Sequence, residues 1–151
     1  IIFLGFGSLT SYIQSYVNTH DNIHLHAAVS PDKVAEYTLC TDVGIAFLDK
    51  SCLNHEFALP NKFFQYIQAG IPVLCTRLTE MTKLVDQYAI GWSAEPNANC
   101  FADCIDTITL DAIKAKQHGL IYAANELHWG KEKLLLNKVY DDLIKQWDEV
   151  R

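Results

Sequence analysis

The sequence predicts an α/β fold in which helices cover both faces of a doubly wound parallel sheet. Short strands that are apolar throughout alternate with helical patterns of about ten residues, which is typical of parallel strands buried on both faces. Half of the 151 residues are hydrophobic and a fifth are charged, which suits a folded domain with its own core. No repeat or linker interrupts the pattern, so we expect residues 1–151 to form one lobe.

The strands are predicted from apolar runs bounded by turn residues. An apolar start leads into Gly5-Phe6-Gly7-Ser8, and a second apolar run follows "DN". The run "VGIAFL" follows Asp42, while "PVLCT" and "IGWSA" lie on either side of a helical pattern. The predicted strands are therefore residues 1–4, 23–28, 43–48, 72–76 and 90–94.

The helices are predicted from apolar spacing and from start and stop signals. Tyr12, Ile13, Tyr16 and Val17 have helical spacing after the first glycine turn. Ser30 and Pro31 are a cap and a first helical residue for a helix that extends to Cys40. After a polar loop, Lys50–Phe57, the next helix begins at Pro60 and is closed by Gly70 and Pro72.

The remaining helices occupy the second half of the chain. The segment "EMTKLVDQY" is helical in pattern, with Thr79 and Glu80 as its capping residues. From Asn99 onward the pattern stays helical, and we expect breaks at Gly119 and Gly130. The last helix contains regularly spaced apolar residues from Leu134 to Trp147.

Composition excludes several classes of protein. The formal net charge of −6 argues against a general nucleic-acid binder, although a local basic site for a phosphate remains compatible with it. The five cysteines lack metal-ligand spacing, so we expect no metal and interpret them as free, partly buried thiols in a reducing, cytoplasmic compartment.

No run of the sequence approaches the roughly 20 apolar residues of a membrane span. The chain begins inside an apolar strand without Met, which suggests a piece of a longer protein.

Ligands of such sheets bind beyond the carboxyl ends of the strands, so the residues that follow each strand are candidates. In "GFGSLT", Gly5 and Gly7 would let backbone approach a phosphate at a helix N-terminus. Thr10 stands where the dinucleotide fingerprint has its third glycine. From this motif alone, a plain tight turn is the favoured interpretation.

The segment "ALPNKFFQYIQAGIPVL" is a second candidate. On a helix that begins at Pro60, the first-turn amides are unpaired, and an anion there would meet both the helix dipole and Lys62. Phe63 and Ile67 belong to the buried stripe, whereas Lys62 and Gln65 share the other face. A pyrophosphate at the helix start, with Gln65 near a sugar hydroxyl, fits this layout. A capped helix with solvated polar residues fits the spacing as well.

Two further segments carry groups suited to acid–base or binding roles. His55 and Glu56 in "SCLNHEFALP" are placed for acid–base work, but adjacent side chains diverge, and loop ion pairs or exposed side chains are the favoured interpretation. Thr79 and Glu80 either cap their helix or bind a ligand.

Taken together, these segments resemble the C-terminal, donor-binding lobe of retaining glycosyltransferases with the GT-B fold, of the group that includes capsule and lipopolysaccharide enzymes. The matching segments are "IIFLGFGS", "NIHLHAAVSPDKVAEYTLCTDVGIAFL", "ALPNKFFQYIQAGIPVLCT", "TEMTKLVDQYAIGW" and "HWGKEKLLLNKVYDDL". They cover nearly the whole chain, and the Pro-Asn-Lys…Gly-x-Pro block is the most specific of them.

The resemblance implies a Rossmann-like lobe that binds a nucleotide-diphospho-sugar donor without a metal or other cofactor. Gly5 and Gly7 form the glycine turn, Ala28 and Val29 would meet the base, and Asn61 and Lys62 would hold the diphosphate. Gln65 stands where the family usually has a glutamate that binds the ribose. The earlier acidic residue of the family would fall at Phe57, with Glu56 one position away.

The resemblance also implies a missing first strand and a missing N-terminal lobe, which would bind a glycan or lipid-linked acceptor. We therefore expect this chain alone to transfer no sugar, and the catalytic residues stay unassigned. For the full-length protein a cytoplasmic location is expected, and a peripheral position at the inner face of the membrane is compatible with it. Two alternatives remain: a sugar-nucleotide epimerase of the same fold, and a nucleotide-sugar-binding domain without activity.

Overall fold

The computed structural model describes residues 1–149, and the chain divides into two compact units, Ile1–Tyr37 and Thr38–Arg151. The first unit contains strands β1 (Ile2–Leu4) and β2 (His24–His26) and helices α1 (Thr10–Val17) and α2, which begins at Val34 and ends at Thr38, across the unit boundary. The two strands are parallel, with Phe3 opposite Leu25. No residue of this unit is fully buried.

The second unit is built around a parallel sheet of three strands in the order β3 (Gly44–Ala46), β4 (Val73–Thr76) and β5 (Gly91–Ala94). Its described helices are α3 (Leu53–Glu56), α4 (Asn61–Gln68), α5 (Thr79–Tyr88), α6 (Ala98–Thr107), α7 (Leu110–Lys114), α8 (Gln117–Glu126) and α9 (Trp129–Glu149).

Alternate side chains of the central strand β4 enter two different cores. Val73 and Cys75 pack in a cluster with residues of α4, α5 and α8, whereas Leu74 packs with Phe101 of α6 on the other face. Every residue of β4 is fully buried. The sheet of this unit is therefore covered on both faces, and the predicted α/β class with parallel strands is confirmed.

Most predicted elements are present with shorter bounds. The helix predicted from Pro31 to Cys40 is limited to α2, because the residues after Ser30 form a turn in which the Lys33 amide bonds the Ser30 carbonyl. The predicted polar loop Lys50–Phe57 contains one helical turn, α3. The stop at Gly70 is confirmed, since this glycine follows the α4 C-cap with a φ of +71°.

Three local predictions are wrong. Gly119 and Gly130 do not break helices but lie inside α8 and α9, close to the start of each helix. At Gly119, a Cβ atom would come within 2.0 Å of the Tyr88 carbonyl oxygen. The glycine is there because α8 approaches the end of α5 closely. Thr79 does not cap α5, since Leu78 occupies the N-cap and the first turn has no side-chain cap.

Candidate functional site

The candidate site lies in the second unit, at the carboxyl ends of β3 and β4. Thr76, the last residue of β4, is fully buried, and its hydroxyl accepts a hydrogen bond of 2.9 Å from the Leu48 amide just after β3. This bond fixes the start of the segment that connects β3 to α4. The same segment carries Asp49, Lys50, His55 and Glu56.

Asp49 and His55 are in direct contact within this connecting segment. The Asp49 carboxylate lies 2.5 Å from His55 Nδ1, and the Ser51 hydroxyl lies 3.2 Å from the same nitrogen. A hydrogen bond from Ser51 and the contact with His55 lower the pKa of Asp49. The carboxylate is therefore ionised at neutral pH and orients the imidazole ring.

Glu56 joins the connecting segment to the start of α5. Its carboxylate accepts a 2.5 Å hydrogen bond from the Thr79 hydroxyl and lies 2.9 Å from the Lys50 ammonium. The bond from Thr79, and then Lys50, lowers the pKa of Glu56. A carboxylate at a helix N-terminus is favoured by the helix dipole. The N-terminus of α5 is thus already occupied by an anionic group of the protein.

The N-terminus of α4, in contrast, is open. Pro60 is the N-cap and provides no side-chain hydrogen bond. Within the described residues, the backbone amides of Asn61 and Lys62 have no acceptor. Unpaired first-turn amides and the positive end of the helix dipole favour an anion.

Lys62 adds a full positive charge to this helix start. Its side chain is half-buried, and burial lowers the pKa of its ammonium group. No carboxylate of the described residues lies within ion-pairing distance of it. A partly desolvated cation without a counter-ion is costly to a fold. A bound anion would remove this cost.

Gln65 lies one turn further along α4. Phe63 and Ile67 are fully buried, so α4 turns its apolar side to the core, while Asn61 and Gln65 are exposed. The Gln65 side chain forms no hydrogen bond with a described residue, and it is free for a ligand. The structure therefore brings together Asn61, Lys62 and Gln65 of the predicted site residues.

The other predicted site residues belong to the Ile1–Tyr37 unit. Gly5 has a φ of +146°, a conformation that favours glycine, and its amide bonds the His26 carbonyl. The Gly7 amide donates to the Thr10 hydroxyl, which caps the turn before α1. This bond explains why a threonine follows the glycines. Ala28 is exposed and Val29 is half-buried, directly after β2.

Some partners at the site were not predicted. The favoured interpretation as a loop ion pair is confirmed for Glu56, which pairs with Lys50, while His55 contacts Asp49. Asp49, Lys50 and Thr79 were not identified as the groups that bind them. One feature of the sequence could have identified two of these partners, because Asp49 and Lys50 come immediately after a predicted buried strand. The link from Glu56 to Thr79 spans 23 residues and leaves no trace in local spacing.

Comparison with known proteins identifies the fold. The chain is similar to sucrose-phosphate synthase from Thermosynechococcus elongatus, with a TM-score of 0.73 and 16% sequence identity, over 96% of this chain and 38% of that protein. The chain has the fold of a Rossmann-like GT-B lobe. It spans less than two fifths of the length of that neighbour. No protein-family model matches the sequence, and no curated protein is significantly similar to it.

Within residues 1–149, no helix has the length and apolar character needed to cross a bilayer.

Proposed function

We propose that this chain is the donor-binding lobe of a glycosyltransferase and that it holds a nucleotide-diphospho-sugar by its diphosphate at the start of α4. The observation that carries the proposal is the half-buried side chain of Lys62, which has no counter-ion among the described residues and belongs to a helix start whose first two backbone amides have no acceptors there. This group of donors suits a diphosphate.

Two helices, α4 and α5, begin at this edge of the sheet, and a comparison of their N-termini favours α4 as the place where the diphosphate binds. Glu56 occupies the start of α5 with its carboxylate, so a ligand phosphate there would meet a negative charge. The start of α4 has no such group. A diphosphate bound at α4 would therefore gain the helix dipole and Lys62 without repulsion from Glu56 at the same point.

Gln65 would bind the ribose of the donor through its carboxamide. A neutral amide binds a hydroxyl more weakly than a carboxylate does, by roughly 1 kcal/mol. As the glycosidic bond breaks, Lys62 and the α4 dipole would stabilise the charge that develops on the leaving nucleotide diphosphate. The acceptor, a glycan or a lipid-linked sugar, would be bound by another lobe of a longer protein.

The test is a calorimetric titration of this chain with UDP, GDP and ADP. We expect saturable binding of one nucleotide and a loss of about 10- to 100-fold in affinity for Lys62→Ala, because hydrogen bonds to charged groups contribute roughly 1.5–3 kcal/mol. Lys138→Ala is the matched control, since Lys138 is exposed on α9. Equal affinities for Lys62→Ala and the unmodified chain would contradict the proposal.

A binding domain without transferase activity is the second candidate. Two observations favour it: Gln65 replaces the usual glutamate, and Phe57 occupies the position of the earlier acidic residue with its side chain 56% exposed. Gln65→Glu separates the two candidates. A gain of about tenfold in nucleotide affinity would show that the site can use a glutamate at position 65, as the resembling enzymes do. An unchanged affinity would favour a binding domain without activity.

A further inference from the structure

The last helix, α9, is exposed along its described length. Every residue from 129 to 147 is exposed, which is about five turns of helix. A helix of this length is only marginally stable in water without tertiary packing. Large apolar side chains nevertheless recur along one side of it, as in a helix that packs against another element. We call these side chains the apolar face: Leu135, Leu136, Val139, Tyr140, Leu143, Ile144 and Trp147.

The apolar face is larger than the apolar patches that monomeric proteins normally expose. Each of its side chains is between 45% and 71% exposed. A half-exposed large side chain presents on the order of 80–100 Å², so the whole face presents roughly 600 Å². Two such faces would together bury about 1,200 Å², the lower end of the range for specific protein–protein interfaces. The face is therefore large enough to form an interface with an equal face.

The spacing within the apolar face suits a second helix as its partner. Leu136, Tyr140, Leu143 and Trp147 are separated by four, three and four residues. This alternation is that of the apolar positions between two helices that pack side by side. Leu134 does not belong to the face, because nine residues of helix place it about 180° from Leu143.

The charges of α9 are arranged in two halves of opposite sign. Residues 129–138 include three lysines and one glutamate, a net charge of +2, while residues 139–149 include one lysine and four acidic residues, a net charge of −3. A lone helix is stabilised by the reverse order, and the last turn of α9 has no basic residue. In an antiparallel pair of α9 helices, each basic half would lie beside the acidic half of the other helix.

Most of these charges are available to a partner. Lys131 pairs with Glu126 of α8. Within the described residues, no ion pair engages Lys133, Lys138 or the two aspartates at 141 and 142. An anionic lipid surface would require a basic polar face, whereas α9 has four lysines and five acidic residues. The charges therefore favour a second copy of the helix over a membrane.

We propose that the apolar face of α9 binds the same face of a second copy of this chain, with the two helices antiparallel about a two-fold axis. Burial of the apolar side chains provides the affinity, and the two charged halves set the orientation. The interface uses no residue of the proposed nucleotide site. The inference is therefore independent of the proposed function.

The test is sedimentation equilibrium of this chain over a range of about 1–200 µM, where we expect a monomer–dimer equilibrium with a Kd of about 10 µM. Leu143→Asp places a charge in the apolar face and should weaken the dimer at least about tenfold. Leu134→Asp is the matched control, because Leu134 is 71% exposed on the opposite side of α9, and it should change the Kd less than about twofold. Both residues are exposed, so thermal unfolding of the two variants should be the same.

A charge exchange tests the antiparallel orientation. Lys133→Glu with Lys138→Glu makes both halves of α9 acidic, and Asp141→Lys with Asp142→Lys makes both halves basic. Each double variant should form a weaker homodimer, whereas an equimolar mixture should form a heterodimer at least about tenfold tighter than either. Added salt should weaken the unmodified dimer, since opposite charges are adjacent in it. A dimer that salt strengthens would have like halves adjacent and would contradict the antiparallel arrangement.

The other occupants of the face are distinguished in the same samples. A chain that stays monomeric to about 200 µM would overturn the inference, since the face would then be left to a different partner. Co-sedimentation of that monomer with vesicles of phosphatidylcholine and phosphatidylglycerol, lost in Leu143→Asp, would assign the face to a lipid surface. A dimer that Leu143→Asp does not weaken would use another surface, and this result would also overturn the inference.

Discussion

Lys62 combines two properties that both disfavour its charge in a folded protein. It is partly removed from water, which disfavours its charge, and it lacks a counter-ion within the described residues. Structural lysines usually avoid this combination by extending the ammonium group into solvent. Sites that bind ligands accept such a cost because the ligand compensates it.

We predict that Lys62→Met will stabilise the free chain and abolish nucleotide binding. Methionine keeps the apolar length of the side chain and removes a charge that is partly desolvated, so the free energy of unfolding should rise by an amount on the order of 0.5 kcal/mol, a small value because the group is partly screened by solvent. Urea denaturation and a UDP titration of the same sample measure both effects. A less stable variant would show that the folded state compensates the charge.

Glu56 is one of two carboxylates, with Asp49, that contribute to the acid sensitivity of this edge. Its pKa is lowered in the folded chain by Thr79 and Lys50, so its stabilising effect is present above the pKa of the unfolded state. That effect is lost as the pH falls through the lower, folded-state pKa. The ionised carboxylate therefore stabilises the folded chain at neutral pH and not in strong acid.

We predict that Glu56→Gln will lower the free energy of unfolding at pH 7 and will lower it by a smaller amount at pH 3. The neutral amide keeps a hydrogen-bond acceptor for Thr79 but loses the charge opposite Lys50. Denaturation at both pH values measures the difference, and Glu132→Gln on the exposed surface of α9 is the control. An equal loss at both pH values would assign the effect to side-chain shape rather than to charge.

At the scale of the elements, glycines mark the places where backbone or aromatic groups approach closely. A Cβ atom at Gly44 would meet the Tyr66 ring at 2.2 Å, and one at Gly91 would meet the Val73 carbonyl oxygen at 1.9 Å. Both glycines lie in strands, where the residue is normally unfavourable. They allow α4 and β4 to approach the neighbouring strands, and in this way they help to position the start of α4.

We predict that Gly119→Ala will destabilise the chain by about 1–3 kcal/mol, although alanine normally stabilises a helix interior. The added methyl group would overlap the Tyr88 carbonyl oxygen, which belongs to backbone and cannot rotate away. Gly130→Ala is the matched control, because its Cβ would meet only the His128 side chain, at 2.8 Å. Urea denaturation should show a loss for the first variant and no loss for the second.

At the scale of the whole molecule, periodic patterns gave the class of fold and the order of its elements. Buried strands such as Val73–Thr76 were predictable because every one of their residues is apolar or small. The role of Gly119 was not predictable, since its reason is a contact with Tyr88 that is distant in sequence. The same limit applies to the candidate site: Asn61, Lys62 and Gln65 follow from helix spacing, whereas the bond from Glu56 to Thr79 depends on the tertiary fold.

The two units of the chain differ in the burial that supports them. In residues 1–37 no side chain is fully buried, and β1 is exposed along its whole length. In the second unit, α4, α5 and α8 enclose a fully buried cluster that includes Phe63, Leu120 and Met81. Because apolar burial is the main source of stability, the hydrogen bonds of the two units should open with different free energies.

We predict that hydrogen-bonded amides of β2, such as that of His24, which bonds the Ile1 carbonyl, will exchange at least about tenfold faster than those of β4, such as that of Val73, which bonds the Ile90 carbonyl, after correction for intrinsic rates. Native-state hydrogen exchange by NMR measures both sets in one sample. Low concentrations of denaturant should accelerate exchange in β4 through global unfolding and leave β2 nearly unaffected, since local opening exposes little surface. Equal protection in both strands, with the same denaturant dependence, would show that the units unfold together and that β2 draws its stability from the whole chain.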